Sequence, residues 1–468
     1  MDSIQKNLPD TVEFDRALIE KLAGSGPRYT SYPTADRFNQ AFTSTDYQKK
    51  LEQRTIGALH KPLSVYIHVP FCNTICYYCG CNKIITKNKS LADVYLDYLE
   101  KELKMVTNII GKKEPLMQLH FGGGTPTFFS DKQFTRIIGL LKEHFEFLAH
   151  GEYSIEIDPR KIGSDTVQHL GQLGFNRMSV GIQDFNHSVQ EAVNRVQSVE
   201  ETATVIDAAR AAQFKSISVD LIYGLPLQSS KSVAQTLDTV LSLEPDRIAL
   251  YNYAHLPTLF MPQRRINEAD LPSASEKLDI LQNSVQTLTD KGYIFIGMDH
   301  FAKPNDELSV ALRQGRLHRN FQGYSTHSDC DLIGLGVSSI GQIGASYTQN
   351  EKELDHYYQA IDEGRLPVMR GLTLNKDDLL RRNIIQALMC QFSLCFSVYE
   401  ELYQIQFQQY FSEEMVKLKE LEQLGLLSMD KHSIVIKPKG RFLIRNIAMV
   451  FDQYLRTKPK QANYSKTI

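Results

Sequence analysis

No run in the 468-residue chain approaches the roughly 18 consecutive apolar residues that a membrane-crossing helix needs. The opening residues, MDSIQKNLPDTVEFD, lack the basic start and apolar stretch of a secretory leader. A cytoplasmic protein with no membrane association is therefore expected. Formal net charge is only −2, so no global field draws the chain to nucleic acid, and an acidic substrate would need a local pocket. There is no low-complexity tract and no repeat of fixed short period, which argues against solenoid and propeller architectures. Cysteine is too sparse for a disulfide framework: of seven, Cys72, Cys76, Cys79 and Cys81 crowd into one short stretch, while Cys330, Cys390 and Cys395 are scattered. Such clustering points to metal in a reducing compartment, and the scattered three read as small core residues. What remains is an ordinary globular composition, 42% hydrophobic and 23% charged, long enough for two domains.

From position 64 the chain alternates apolar, β-rich runs with amphipathic helical stretches. The runs are Ser64–Val69, Leu116–Phe121, Tyr153–Asp158, Arg177–Ile182, Ile217–Tyr223 and Arg247–Tyr253. After Ser90, Leu91, Val94, Tyr95, Tyr98, Leu99, Leu103 and Val106 follow helical spacing and are expected to form a buried face. Strand–helix alternation implies a parallel sheet, and strands apolar on both faces imply cover on both sides. The fold class is α/β, a partial barrel of six β/α units, with a seventh run, Tyr293–Asp299, that leaves closure open. Unusual residues follow the strands: the cysteine loop after the first, then GGGTPT, DPR, QDF and GLP. All lie at strand C-terminal ends, the face that carries the active site in α/β barrels.

Beyond residue 372 the pattern becomes mainly helical. Asn375 is expected to cap a helix through Met389, Glu413–Leu424 forms another ended by Gly425, Leu426–Met429 and Ile434–Lys437 form a hairpin, and a helix covers Arg441–Leu455. This order resembles a winged helix, but the helices lack the basic stripe of a nucleic-acid binder, and a lid is the preferred reading. The expected division is 1–60 as an N-terminal segment at the mouth of the site, 61–371 as the barrel and 372–468 as the C-terminal domain.

SVYIHVPFCNTICYYCGC spaces three thiols as C-x3-C-x2-C at the end of the first strand. Three thiolates hold three irons of a cubane and leave the fourth without a protein ligand, and an open metal position is a reaction site. Cys81 keeps an alternative in view, a closed zinc site or a fully ligated cluster. Its spacing from Cys79 argues against closure, because zinc pairs are usually separated by two to four residues and drawn from separate loops.

The C-x3-C-x2-C string with aromatic Tyr78 before its last cysteine is similar to the signature of the radical S-adenosylmethionine (SAM) superfamily. The fuller strings YIHVPFC, ICYYCGCNK, SGPRYTSYPTA, FGGGTPT, IEIDPR, GIQDFN, DLIYGLP, NYAHLP, GMDHFA, HRNFQGY and GRFLIRNI resemble the oxygen-independent coproporphyrinogen III oxidases from about residue 25 to the end. The resemblance implies a radical SAM barrel with a [4Fe–4S] cluster on Cys72, Cys76 and Cys79. It implies two SAM molecules, a small electron donor such as a flavodoxin or ferredoxin, and a monomer. The implied reaction converts two propionates of coproporphyrinogen III to vinyl groups in haem biosynthesis, by hydrogen abstraction from the β-carbon and loss of carbon dioxide. No side chain is expected to perform the abstraction, because the difficult chemistry belongs to the cofactor.

By the same resemblance, Gly123, Gly124 and Thr125 carry the methionine end of the first SAM, Glu156, Tyr66 and Ala254 add contacts, and Ile340 lies near the cofactor. Gln183, Arg195 and Asp220, with Tyr78 beside them, form the second nucleotide set. Tyr78 departs from the phenylalanine of the family, and Val196 stands where an acidic residue is expected. Arg28, His68, Arg319, Phe321 and Gln322 are the candidates for binding substrate carboxylates. Two other functions stand beside this one. A haem chaperone of the same fold lacks the Cys81 equivalent and the RYTSYPT segment, both present here, and a radical enzyme acting on haem itself is the third.

Overall fold

The structure, a computed structural model, describes residues 12–54, 56, 61–111, 113–160, 162–327, 330–457 and 464. Two compact units result, one of Phe38–Ile280 with Asp329–Thr373, the other of Met1–Arg37, Leu281–Ser328 and Leu374–Ile468. Among the described residues no helix is long and apolar enough to cross a membrane.

The larger unit is built on strands β1 (Leu63–Val69), β2 (Glu114–Gly123), β3 (Phe145–Ile157), β4 (Arg177–Gln183), β5 (Ser216–Tyr223), β6 (Arg247–Asn252), β7 (Asp331–Leu335), β8 (Ile340–Ile343), β9 (Ser346–Asn350) and β10 (Val368–Thr373). Strands β1 to β6 lie side by side in chain order and are all parallel. All six apolar runs read from the sequence are strands, lengthened most in β2 and β3. Helices Ser90–Ile110, Asp131–His144, Ser164–Leu173, Val199–Ala211 and Ser230–Ser242 form the crossovers. Three of them start at full capping boxes, Ser130 with Gln133, Ser198 with Glu201 and Ser229 with Ser232, each of which satisfies two N–H groups at the helix start.

On the other side of β1 lies a part the sequence pattern did not reveal. There β7 pairs parallel with β1, and β8, β9 and β10 follow antiparallel. Their sequences, DLIGL, IGQI, SYTQN and VMRGLT, are short and rich in glycine and polar residues, so neither apolar alternation nor length marks them as strands.

Helix Ser90–Ile110 also corrects an expectation. Its buried face holds Tyr95, Leu96, Leu99, Glu102, Leu103, Val106 and Ile110, while Val94 is exposed. The stripe is turned because Glu102 points inward, where three hydrogen-bond donors receive it.

The smaller unit joins three separated pieces of chain. Lys439 donates to Asp15 at 3.0 Å, Tyr29 donates to Asp452 at 3.0 Å, and Arg445 donates to the carbonyls of Gly26 and Pro27. The contiguous division at 60 and 371 is therefore not the one the contacts draw: residues 12–37 pack with the C-terminal region through these polar anchors, and residues 281–327 through Tyr324, which donates to the Met389 carbonyl, and Gln386, which donates to the Arg319 carbonyl. Of the seventh apolar run, Tyr293–Asp299, the strand is Ile294–Gly297, which forms a hairpin with His300–Ala302 here.

Asn375 caps Lys376–Gln391 with a box closed by Asp378, Ser412–Gln423 is helical, and Leu427–Met429 pairs with Ser433–Ile436. A third strand, Ser393–Cys395, adds to the hairpin. The single helix expected over Arg441–Leu455 is instead broken into Pro438–Phe442, Ile444–Ala448, the 3-10 turn Met449–Phe451 and Gln453–Thr457. The break follows from Asp452, which is extended and whose Oδ1 accepts from the backbone N–H groups of Tyr454 and Leu455, offering the chain a cap in place of helical continuation.

Candidate active site

The six parallel strands deliver their special residues to one end of the larger unit, around a cavity of about 290 Å³. The cysteine loop enters from β1 through Phe71–Cys72, which pairs with Ile84–Ile85. It is held from the opposite wall by Asn194 Nδ2 on the Ile75 carbonyl at 2.6 Å and by Tyr77 N–H on the Val193 carbonyl at 2.9 Å. Lys83 Nζ closes the loop on the carbonyls of Cys79, 3.1 Å, and Cys81, 3.2 Å.

Cys72, Cys76 and Cys79 all face the cavity, each with a different neighbour. Thr125 Oγ1 donates to Cys72 Sγ at 3.4 Å, while Arg195 Nη1 and Arg160 Nη2 approach Cys76 Sγ at 3.7 and 3.8 Å. The Cys79 thiol is drawn down to about 6, chiefly by a hydrogen bond from Cys81 and further by the Lys83 ammonium. Burial pushes Cys72 up to about 11.

Among the described residues no three His, Cys, Asp or Glu side chains group tightly enough for a single ion. Thiolates on three corners of a cubane stand further apart than the ligands of one ion, and three thiols around one cavity suit the cubane. With Cys79 favouring the thiolate and N–H and O–H donors aimed at the other two sulfurs, the donor set fits a [4Fe–4S] cluster.

Beside the cysteines lies a glycine cradle. A Cβ on Gly124 would stand 2.8 Å from the Pro70 carbonyl, and one on Gly123, whose φ is +117°, would stand 2.6 Å from the His68 ring. Only glycine permits the backbone to lie this close to β1. Glu156, on β3, accepts the Gly123 N–H at 3.2 Å and faces His120 Nε2 at 3.3 Å. Burial raises its carboxyl, but His120 and the Gly123 amide outweigh that and leave it below its usual value.

The second group stands across the cavity. Gln183 ends β4 at φ +70°, and Arg195 is buried with Nη2 on the Gly181 carbonyl at 2.7 Å. Asp220 is pushed up to about 7 by burial, offset in part by the Ser179 hydroxyl at 2.9 Å. Tyr78 packs on Val189, Val193, Leu225, Tyr253 and Ile266, and Val196 is half exposed.

The cavity lining thus brings together Cys72, Cys76, Cys79, Tyr78, Gly123, Gly124, Thr125, Glu156, Gln183, Arg195 and Asp220, and leaves out four candidates of the same unit, Tyr66, His68, Ala254 and Ile340. The Tyr66 ring stacks on His120 and hydrogen-bonds His68 Nδ1 at 3.0 Å. His68 is fully engaged: a carbonyl can only accept, so Nε2 carries the proton given to Asn82 O at 3.0 Å and Nδ1 accepts from Tyr66. Burial lowers its pKa, keeping it neutral. Ile340 opens β8.

Gln263 escaped the sequence reading. It is buried, and its Nε2 donates to the carbonyls of both Tyr78, 3.0 Å, and Ala254, 3.2 Å, so one amide ties the cysteine loop to the segment after β6. Asp158, Arg160 and Lys83 also face the cavity. The DPR motif marked the first two, but its neighbours could not be read from one dimension.

The remaining candidates belong to the smaller unit. Arg28 is paired with the Asp299 carboxylate. Phe321 and Gln322 form the turn between strands His318–Asn320 and Gly323–Ser325. Arg319 is buried at 3% exposure with its guanidinium 4.7 Å from the Tyr324 ring centroid.

A sheet of six parallel strands whose C-terminal ends gather three thiols, a glycine cradle and a carboxylate defines a radical SAM protein, and residues 66–240 match the Radical SAM superfamily. Residues 374–443 match the HemN C-terminal domain. The chain is 49% identical to an oxygen-independent coproporphyrinogen III oxidase of Salmonella typhimurium and 48% identical to that of Escherichia coli, in each case over 98% of this chain and 99% of the relative. The solved structure of coproporphyrinogen III oxidase (HemN) from Escherichia coli, described as a radical SAM enzyme, superposes with a TM-score of 0.90, covering 95% of this chain and all of that one. The chain belongs to the family of oxygen-independent coproporphyrinogen III oxidases.

Proposed function

We propose that the protein converts two propionate side chains of coproporphyrinogen III to vinyl groups, giving protoporphyrinogen IX in haem biosynthesis. The observation that carries this reading is the convergence of Cys72, Cys76 and Cys79 on the cavity that also holds Gly123 and Glu156. When bound, the reduced cluster and SAM supply a 5′-deoxyadenosyl radical. The overall change at each propionate would be loss of one hydrogen atom, taken up as 5′-deoxyadenosine, loss of carbon dioxide, and release of one electron to an external one-electron acceptor.

The chain's own residues hold and aim. Cys72, Cys76 and Cys79 hold three irons, Gly123 and Gly124 offer backbone groups to the methionine end of SAM, and Glu156 receives a cationic or N–H partner. Gln183, Arg195 and Asp220 seat a second SAM: Arg195 pairs with a carboxylate and Asp220 accepts from hydroxyl or amine. Tyr66 and Ala254 act from behind, through His68 and Gln263. Ile340 adds an apolar contact. Arg28, Arg319, Phe321 and Gln322 receive substrate carboxylates and the porphyrinogen face. A small flavodoxin-like or ferredoxin-like donor delivers the electron to a cytoplasmic monomer.

Anaerobic incubation with coproporphyrinogen III, reductant and SAM is expected to yield protoporphyrinogen IX and two 5′-deoxyadenosines per product. Stoichiometric haem binding with no 5′-deoxyadenosine would overturn the reading in favour of a haem carrier.

A further inference from the structure

The DPR motif at the end of β3 supplies a residue that the cofactor-binding set does not use. Arg160 is clamped to Asp158 by a fork, Nε to Oδ1 at 2.9 Å and Nη2 to Oδ2 at 2.6 Å, so its guanidinium has one orientation. In that orientation Nη2 stands 3.8 Å from Cys76 Sγ. Arg195 approaches the same sulfur at 3.7 Å and the same Asp158 Oδ2 at 3.3 Å. Two guanidiniums and one carboxylate thus surround a single thiol, a local net charge of +1 when all three are ionised. The side chains of Arg160, Asp158 and Arg195 are only 17%, 16% and 8% exposed, so water screens this charge little.

The other two cysteines are set differently: Cys72 receives a neutral hydroxyl, and Cys79 has a single cation, Lys83, whose Nζ also donates to the carbonyls of Cys79 and Cys81. Among the described residues, a pair of guanidiniums oriented by one carboxylate is found at Cys76 and not at Cys72 or Cys79.

We infer that Arg160, oriented by Asp158, is a positioning residue that raises the reduction potential of the cluster through Cys76. The inference rests on the cluster assignment proposed above. Reduction adds one negative charge to the cluster, and both net charge and hydrogen bonds to sulfur set the potential of such centres. A cation with an N–H aimed at a ligand sulfur stabilises the reduced state more than the oxidised one. The step is a one-electron reduction by an external donor, with no bond made or broken in the protein. Asp158 acts in two opposed ways: it fixes the fork, and it offsets part of the positive charge.

The test is potentiometry followed by electron paramagnetic resonance on full-length protein reconstituted anaerobically with ferrous iron and sulfide, without SAM. Arg160→Gln is expected to retain wild-type iron content and lower the equilibrium constant for cluster reduction about tenfold, which is about 59 mV for one electron. Asp158→Asn is expected to shift the midpoint the opposite way, because a negative charge is removed while both guanidiniums stay. An unchanged Arg160→Gln midpoint at full iron content would overturn the inference, as would shifts of the same sign in both variants. Loss of iron from Arg160→Gln would overturn it as well, making Arg160 a scaffold for the loop. Failure of wild-type protein to take up a cluster would instead sink the active-site reading itself.

Discussion

Glu102 and Tyr357, 255 residues apart in sequence, meet in the core of the larger unit, where the tyrosine hydroxyl donates to Glu102 Oε2 at 2.6 Å. Asn350 Nδ2 donates to Oε1 at 2.6 Å and Gly336 N–H to Oε2 at 2.7 Å, so one carboxyl fastens helix Ser90–Ile110 to the turn after β7 and to the end of β9. Burial lifts the carboxyl to about 7, and its three donors offset only part of that.

This pair makes stability depend on pH. A folded value near 7 against the ordinary 4.5 means that the folded state holds the proton more tightly. The contribution is therefore fully present below about pH 4.5 and is lost as pH rises through about 7, a change on the order of 3 kcal/mol. Urea midpoints of the wild type are expected to fall between about pH 5 and pH 8 more steeply than those of Glu102→Gln. Parallel profiles for the two proteins would show that the carboxyl does not titrate in this range.

Gly123 and Gly139 form a contrasting pair. Gly123 sits at φ +117° with the His68 ring in the way of any Cβ, whereas Gly139 lies exposed in helix Asp131–His144 with nothing within 4 Å of a Cβ. Gly123→Ala is expected to cost about 1–3 kcal/mol and to abolish SAM binding, because the strand end must move away from β1. Gly139→Ala is expected to stabilise by about 0.5–1 kcal/mol through helix propensity and leave SAM binding unchanged. Chemical denaturation and equilibrium dialysis separate the two outcomes.

How much of this was legible in one dimension follows from which interactions are local. The six parallel strands announce themselves because burial on both faces forces continuous apolar runs, and the site loops follow because barrel chemistry lies at strand C-terminal ends. Strands β7 to β10 stayed hidden because their identity depends on pairing partners rather than on their own pattern. The helix face near Val94 was misread for the same reason: Glu102 is buried by donors from residues 336, 350 and 357, which no local rule anticipates. At the site, the cysteine spacing carried the metal chemistry. Gln263 and the Arg160–Cys76 approach required three dimensions.

Asp220 gives the proposed second SAM site a pH signature. Its ionised form is the stronger acceptor toward hydroxyl and amine donors and alone attracts a cationic amine, and burial pushes it up to about 7. Occupancy of a second SAM is expected to tighten about tenfold between pH 6 and pH 8, following the ionised fraction of a group titrating at about 7. Asp220→Asn is expected to flatten this dependence and leave one SAM per chain in equilibrium dialysis of the cluster-loaded protein. One SAM per chain in the wild type at every pH would remove the second site altogether.

Arg319 carries the prediction for substrate. Its backbone carbonyl is fixed by Gln386 Nε2 at 2.6 Å, and its side chain is buried with Nε and Nη1 making no hydrogen bond among the described residues. Gln322 Nε2, two residues past the first strand of the same hairpin, is in the same condition. A buried guanidinium without an acid is costly, and a substrate carboxylate arriving at both donors would relieve that cost in the complex. Lysine keeps the charge but cannot reproduce the planar fork. Arg319→Lys is accordingly expected to raise KM for coproporphyrinogen III about 10–100-fold, with SAM affinity and iron content unchanged, and Gln322→Ala to raise it by a smaller factor. Initial rates of protoporphyrinogen formation over a range of substrate concentrations measure this directly. A normal KM in both variants would place the propionate-binding groups elsewhere in the chain.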